Sequence, residues 1–273
     1  MNRLLLSTLC LIPLVVSCAS PGKQLEVMQP ELHRTPPAWT SETPIGTIVA
    51  ERPQTARIFE LVGIDYCCGG QMPVGKAAAQ LNIDSMALLR ALDVVGTSFS
   101  QESTRNWQRA GLDELIKHIV TTHHHWLRRE LPRLTATAQT VLRVHGPNHH
   151  ELTEIVATIN EIRTSVLPHL DDEERRVFPG IIELEAGGNP NNIEALLDAL
   201  HEDHDELGDT LQRLHSLTNG FTPPDDACAK YHEMLKGLAA LEADLHTHVH
   251  LENNVLLPRQ NTGSSTQRIC RMN

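Results

Sequence analysis

Beyond residue 110 apolar residues return every third or fourth position through four long stretches, about 112–144, 149–185, 191–218 and 225–257. That period predicts amphipathic helices, each with one face turned to a common core. The stretches are separated by Gly146-Pro147, by Gly187-Gly188-Asn189-Pro190 and by the run from Asn219 to Pro224, all strong turn chemistry. Four helices with short connections predict an all-α, up-down-up-down antiparallel four-helix bundle over 110–260. Pro132, Pro168 and Pro179 fall inside the stretches, and kinks or local breaks are expected there because proline offers no backbone N–H.

A shorter helical pattern precedes the bundle. Ile48, Ile58, Leu61 and Val62, then Leu81, Leu88, Leu89 and Leu92, recur at helical spacing, interrupted by Gly63 and by the turn Cys67-Cys68-Gly69-Gly70. A small helical module over 43–95 is expected, joined to the bundle by the polar segment Gly96 to Arg109, which carries Trp107. Residues 21–42, with Pro36-Pro37 just ahead of Pro44, have the composition of a linker. The first 20 residues admit two readings. Arg3, the apolar run Leu4 to Val16 and Val15-Val16-Ser17-Cys18 have the form of a lipoprotein export signal anchored through Cys18, whereas Met28 offers a later start that would make the segment a mis-assigned extension.

Composition narrows the chemistry. Aromatics are only 3% of the chain, so the core is expected to consist of Leu, Ile, Val and Ala, as in helix bundles. A formal net charge of −11 leaves no basic surface for phosphates, and nucleic acid is not expected as a partner. The six cysteines form no disulfide framework: Cys10 and Cys18 lie in the apolar start, Cys67 and Cys68 are adjacent, and Cys228 and Cys270 stand alone. The adjacent pair is better suited to a reducing compartment and to contact with a metal or partner. Sixteen histidines are many for 273 residues and direct attention to metals.

Their placement is more telling than their number. His169 with Glu173, and His248 with Glu252, are each four residues apart, so each pair lies on one helix face about a turn apart. The stretches around them, His169-Leu-Asp-Asp-Glu173-Glu174 through Pro179 and His248-Val-His-Leu-Glu252-Asn-Asn through Pro258, read as a pseudo-repeat. The first bundle helix adds His123-His124-His125 and the third adds His201-Glu202-Asp203-His204-Asp205-Glu206. A lone His-x-x-x-Glu pair is ordinarily a solvated surface pair; two matched pairs and two further histidine clusters, one per helix, point instead to a buried site. Four imidazoles and two carboxylates suit a pair of iron or manganese ions, and the lack of thiolates counts against structural zinc.

With these residues in place, the chain resembles the repair-of-iron-centres family, the YtfE/ScdA type of hemerythrin-like di-iron proteins. The resemblance runs from about Thr43 to Pro258 and is carried by Asp65-Tyr66-Cys67-Cys68-Gly69-Gly70, the histidine cluster of the first bundle helix, His169 with Glu-Glu and Phe-Pro, Glu202-Asp-His204-Asp-Glu206, and His248-x-His-Leu-Glu252-Asn-Asn-Val-Leu. It implies two iron ions held by His124, His169, His204 and His248, with Glu173 and Glu252 bridging. His124 is taken from its triplet by its distance to Leu131-Pro132, with His123 and His125 as the alternatives; Leu127 stands where relatives commonly have a further histidine.

The resemblance further implies a cytoplasmic protein that repairs iron–sulfur clusters damaged by nitrosative or oxidative stress, by donating iron or handling nitric oxide. Damaged iron–sulfur proteins would be its partners, NO or O₂ its small ligands, and a homodimer one assembly open to it. Cys67 and Cys68 would have a thiol role toward iron, NO or a client. The alternative is a hemerythrin-type O₂ or NO carrier or sensor, which would not need the Cys-Cys module. A di-metal oxidase or NO reductase is a third reading, distinguished by steady-state turnover with a reductant.

Overall fold

A computed structural model describes residues 38–98 and 106–259; the apolar start with Cys10 and Cys18, most of the linker and Cys270 lie outside them. The N-terminal module comprises α1 (Ile45–Glu51), α2 (Ala56–Val62), α3 (Val74–Gln80) and α4 (Ser85–Ser98). Gly63, in the left-handed region at φ 74°, closes α2 where a side chain would be disfavoured. The module has its own core of Ile45, Ile48, Phe59, Tyr66, Val74, Leu88, Leu89 and Leu92.

Trp39, which the composition assigns to the linker, is buried in that core, with its indole N–H donating to Glu51 Oε2 at 2.7 Å and the Arg52 guanidinium over its ring. Leu61 and Leu81 follow the helical spacing but face outward, Leu61 being 82% exposed. In so short a module the core is filled before every apolar position of the pattern finds a place.

The bundle follows. α5 (Leu112–His118) passes through a π-helical turn, Ile119–His124, into α6 (His125–His145). α7 (Glu151–Asp172) passes through another, Glu173–Val177, into α8 (Phe178–Glu185). α9 (Ile193–Leu217) is continuous, and α10 (Ala229–His250) ends in a third π-turn, Leu251–Leu256. In each π-turn an amide reaches back five residues instead of four: His125 N–H to Val120 O, Phe178 N–H to Glu173 O, and Leu257 N–H to Glu252 O. α6 and α7 continue through Pro132 and Pro168, so no break occurs at either; near Pro179 the helix does change, with the π-turn ending at Val177 and the proline in the first turn of α8.

Two apolar layers fill the bundle. One gathers Leu127, Leu131 and Leu134 of α6, Ile159, Ile162 and Leu170 of α7, Leu207 and Leu211 of α9, and Leu238, Leu241 and Leu245 of α10. The other gathers Leu115 and Ile119, Val177, Phe178 and Ile181, Leu200, and Leu251, Val255 and Leu256. On every helix the chain crosses from one layer to the other at the polar residues singled out above: His124 lies between Ile119 and Leu127, Glu173 between Leu170 and Val177, His204 between Leu200 and Leu207, and His248 and Glu252 between Leu245 and Val255. Among the described residues, no helix is long and apolar enough to cross a membrane.

Candidate metal centre

The six residues converge in the plane between the two apolar layers. Glu173 and Glu252 are fully buried, His124, His204 and His248 nearly so, and His169 is partly accessible. His124 Nε2 lies 3.1 Å from His248 Nε2, and His204 Nε2 lies 3.2 Å from His169 Nε2. Each glutamate spans both imidazole pairs. Glu173 directs Oε2 to His124 at 3.4 Å and Oε1 to His169 at 3.1 Å; Glu252 directs Oε1 to His248 at 3.1 Å and Oε2 to His204 at 3.2 Å. The result is two four-residue groups, His124–Glu173–His248–Glu252 and His169–Glu173–His204–Glu252, each with its donor atoms within 4.8 Å of one another, and both glutamates are common to the two.

The outer faces of the imidazoles decide what the inner faces can do. His124 Nδ1 is 2.8 Å from Glu174 Oε1, His169 Nδ1 is 2.9 Å from Asp203 Oδ2, and His204 Nδ1 is 2.9 Å from Asn253 Oδ1. An acceptor at Nδ1 draws the ring proton there and leaves the Nε2 lone pair facing inward. Lone pairs only about 3 Å apart repel unless a cation lies between them.

Without a metal, that cation has to be a proton. Burial works against charge on His169, yet the adjacent Glu173 carboxylate, with Glu252 and Asp203, pushes its pKa up to about 10. His124 goes the other way, down to about 4, through burial and the charge of His248. Burial and the field of Glu252 raise Glu173; Glu252 itself, despite burial, is held well below the usual carboxylate range by His248 and His204. Among the described residues, both oxygens of Glu173 and Oε2 of Glu252 are buried with no donor in hydrogen-bond geometry. Orphaned carboxylate oxygens facing inward lone pairs are a donor set that could hold metal ions, and imidazole and carboxylate donors without thiolate suit iron or manganese.

Of the histidine triplet, His124 enters the cluster. His125 is exposed, and His123 is buried beside the cluster with Nδ1 2.9 Å from Asp244 Oδ1 and its ring stacked on His248. His201 points out, its Nδ1 2.9 Å from Leu197 O. The positioning groups Glu174, Asp203 and Asn253 were not singled out by sequence, although each adjoins a candidate ligand: Glu174 follows Glu173, Asp203 precedes His204 and Asn253 follows Glu252. Only the packing of neighbouring helices reveals that Glu174 serves His124 and that Asp203 serves His169. Removing such a partner loosens an imidazole without deleting it. Glu174→Gln is expected to weaken metal binding about 10- to 100-fold at unchanged helicity, read by competition against a chelator of known affinity.

Cys67 and Cys68 lie outside both four-residue groups, on the loop that docks the module onto the bundle. Asp65 shapes this loop, its Oδ1 accepting the N–H groups of Cys67 and Cys68 at 2.9 and 3.0 Å and its Oδ2 that of Gly69 at 2.9 Å. Asn254, in the third π-turn, donates to Cys67 O at 2.9 Å, and Cys68 Sγ lies 3.3 Å from His204 O. The loop therefore rests on backbone that carries two of the inward-facing side chains. Cys67 is buried, and its contact with Cys68, burial and the nearby Asp65 raise its thiol pKa well above the ordinary value, so it remains a neutral thiol at physiological pH. On the other side, a groove of about 670 Å³ reaches His169 past Asp172, Asp203, Glu206 and Asp209.

Residues 115–259 match the Hemerythrin HHE cation binding domain, and residues 41–95 match ScdA_N, a domain of unknown function (DUF542). The chain is 33% identical over 221 residues to the iron–sulfur cluster repair protein ScdA of Staphylococcus epidermidis, covering 81% of this chain and 98% of the relative. It is 33% identical to the probable iron–sulfur cluster repair protein of Haemophilus influenzae, over 76% of this chain and 91% of that protein. It is 32% identical to the iron–sulfur cluster repair protein YtfE of Yersinia pseudotuberculosis, over 79% and 95% respectively.

Proposed function

The chain belongs to the ScdA/YtfE family of repair-of-iron-centres proteins with a hemerythrin HHE domain, and from that premise we propose that it is a non-haem di-iron protein that restores iron–sulfur clusters damaged by nitrosative or oxidative stress. The observation that carries this reading is the shared pair of glutamates, each with one oxygen toward either imidazole pair. Two metal ions would be held by His124 with His248 and by His169 with His204, and Glu173 and Glu252 would join them. Bound there, iron would supply reversible redox change and affinity for NO or O₂.

The protein's own residues divide the remaining work. Glu174, Asp203 and Asn253 hold three imidazoles from behind, while the glutamates, with few fixed hydrogen bonds, can shift oxygens as occupancy changes. The apolar layers above and below exclude water. The acidic groove beside His169 offers a path favourable to cations, which suits a centre that gives up iron to a damaged client. Iron–sulfur proteins in the cytoplasm are the partners this reading requires. The docked module favours it over a simple gas carrier, for which the bundle alone suffices.

Metal analysis with Mössbauer spectroscopy on protein from iron-supplied cells is expected to find two antiferromagnetically coupled irons per chain, and the loaded protein is expected to reactivate an iron–sulfur enzyme inactivated by nitric oxide. One zinc or no metal would defeat the di-iron assignment. Coupled irons with reversible gas binding but no reactivation would favour the carrier.

A further inference from the structure

At the far end of α6 a second set of metal-ligating side chains meets. His145 ends that helix, 21 residues after His124, or about 30 Å along the axis at 1.5 Å per residue. Its carbonyl accepts the N–H groups of Asn148 and His149 at 3.0 and 2.9 Å, which folds the α6–α7 turn back on the helix end and fixes His149 beside it. From a distant part of the sequence, the loop ahead of α10 delivers Asp226. His149 Nε2 lies 2.9 and 3.1 Å from the two Asp226 oxygens, and His149 Nδ1 lies 3.0 Å from Glu151 Oε1. One donor atom from each of His145, His149 and Asp226 falls within 4.8 Å of the others.

An ion pair between the turn and the loop needs His149 and Asp226 alone. His145 is the additional element. Its Nε2 is buried and has no hydrogen-bond partner among the described residues, an arrangement that is costly unless something pairs with it. Buried Tyr231 packs edge-on to both imidazoles, with centroids 5.4 and 5.8 Å away, and limits the rings' freedom to turn aside.

We propose that His145, His149 and Asp226 form a separate binding site for one divalent transition-metal ion, clamping the loop before α10 to the α6–α7 turn. Two imidazoles and one carboxylate suit ions such as Zn²⁺, Ni²⁺ or Fe²⁺, whereas Mg²⁺ and Ca²⁺ favour all-oxygen sites. With three protein donors, the ion retains room for water, while Glu151 holds His149 from the opposite edge of its ring through Nδ1. The site shares no residue with the central cluster and does not depend on the repair function.

Zn²⁺ is the probe. The full chain, with its central site already loaded with iron, is dialysed against Zn²⁺ in excess Mg²⁺ and analysed for both metals, alongside His149→Ala and Asp226→Ala. The wild type is expected to take up one Zn²⁺ more than either variant, with iron content and helicity equal in all three and at least tenfold weaker Zn²⁺ binding in the variants. Cu²⁺ placed in the same site should show hyperfine coupling to two nitrogens by electron paramagnetic resonance, reduced to one in His145→Ala. Equal Zn²⁺ uptake by the wild type and both variants, or a Cu²⁺ signal unchanged in His145→Ala, would overturn the assignment.

Discussion

Glu173→Leu is expected to leave a folded bundle that no longer holds a coupled pair of irons. Glu173 serves both imidazole pairs, with Oε1 3.1 Å from His169 and Oε2 3.4 Å from His124. Without it the two pairs are joined through Glu252 alone. At most one weakly held iron per chain should remain, with no magnetic coupling, as read by metal analysis and Mössbauer spectroscopy.

Thermal unfolding of the same variant adds a sign that simple damage would not give. In the metal-free protein Glu173 is a fully buried carboxylate facing a second one, and both burial and the charge of Glu252 disfavour its ionised form. Leucine removes that conflict, so the metal-free variant should be more stable than the metal-free wild type by on the order of 1 kcal/mol. Iron reverses the order, since only the wild type gains binding free energy, about 4 kcal/mol at a thousandfold excess over Kd. Retention of two coupled irons by the variant would refute the bridging assignment.

Gly70→Ala should be strongly disruptive for so small a change in the N-terminal module. A methyl group at that position would overlap Asn254 Oδ1 and lie 2.8 Å from both Cγ and Nδ2 of the same side chain. Asn254 cannot simply turn away, because its Nδ2 is engaged with Cys67 O. The expected cost is about 1–3 kcal/mol by urea unfolding. Asn254→Ala alone should cost about 1 kcal/mol for the lost hydrogen bond. In the double variant the alanine at 70 finds space, so the two effects should fall short of additivity by about 1 kcal/mol or more. Additive effects would mean that the loop is not pressed against this side chain.

The helices could be read from the sequence because their apolar period is long and their ends carry glycine and proline. The ligand candidates were legible for a related reason: His169 with Glu173 and His248 with Glu252 express helical geometry directly. Contacts between helices left weaker traces. Asp203 has no local feature that marks it as the partner of His169, which lies on another helix. Trp39 sits in a proline-rich stretch, and only the packing beside Glu51 and Arg52 shows that the folded module reaches back to it. Cys67 reads as an available thiol until the docking of its loop buries it.

The three π-turns were not foreseen at all, since no residue type announces them; they lie where His124, Glu173 and Glu252 enter the site. Each takes up one residue more than the α-helical turn it replaces. The surplus is absorbed locally, so the apolar faces on both sides stay in phase with the bundle. In evolutionary terms the centre and its scaffold are therefore separable. A single-codon insertion in an otherwise regular helix can swing a ligand inward, and the matching deletion can withdraw it, while the apolar layers above and below persist through either event.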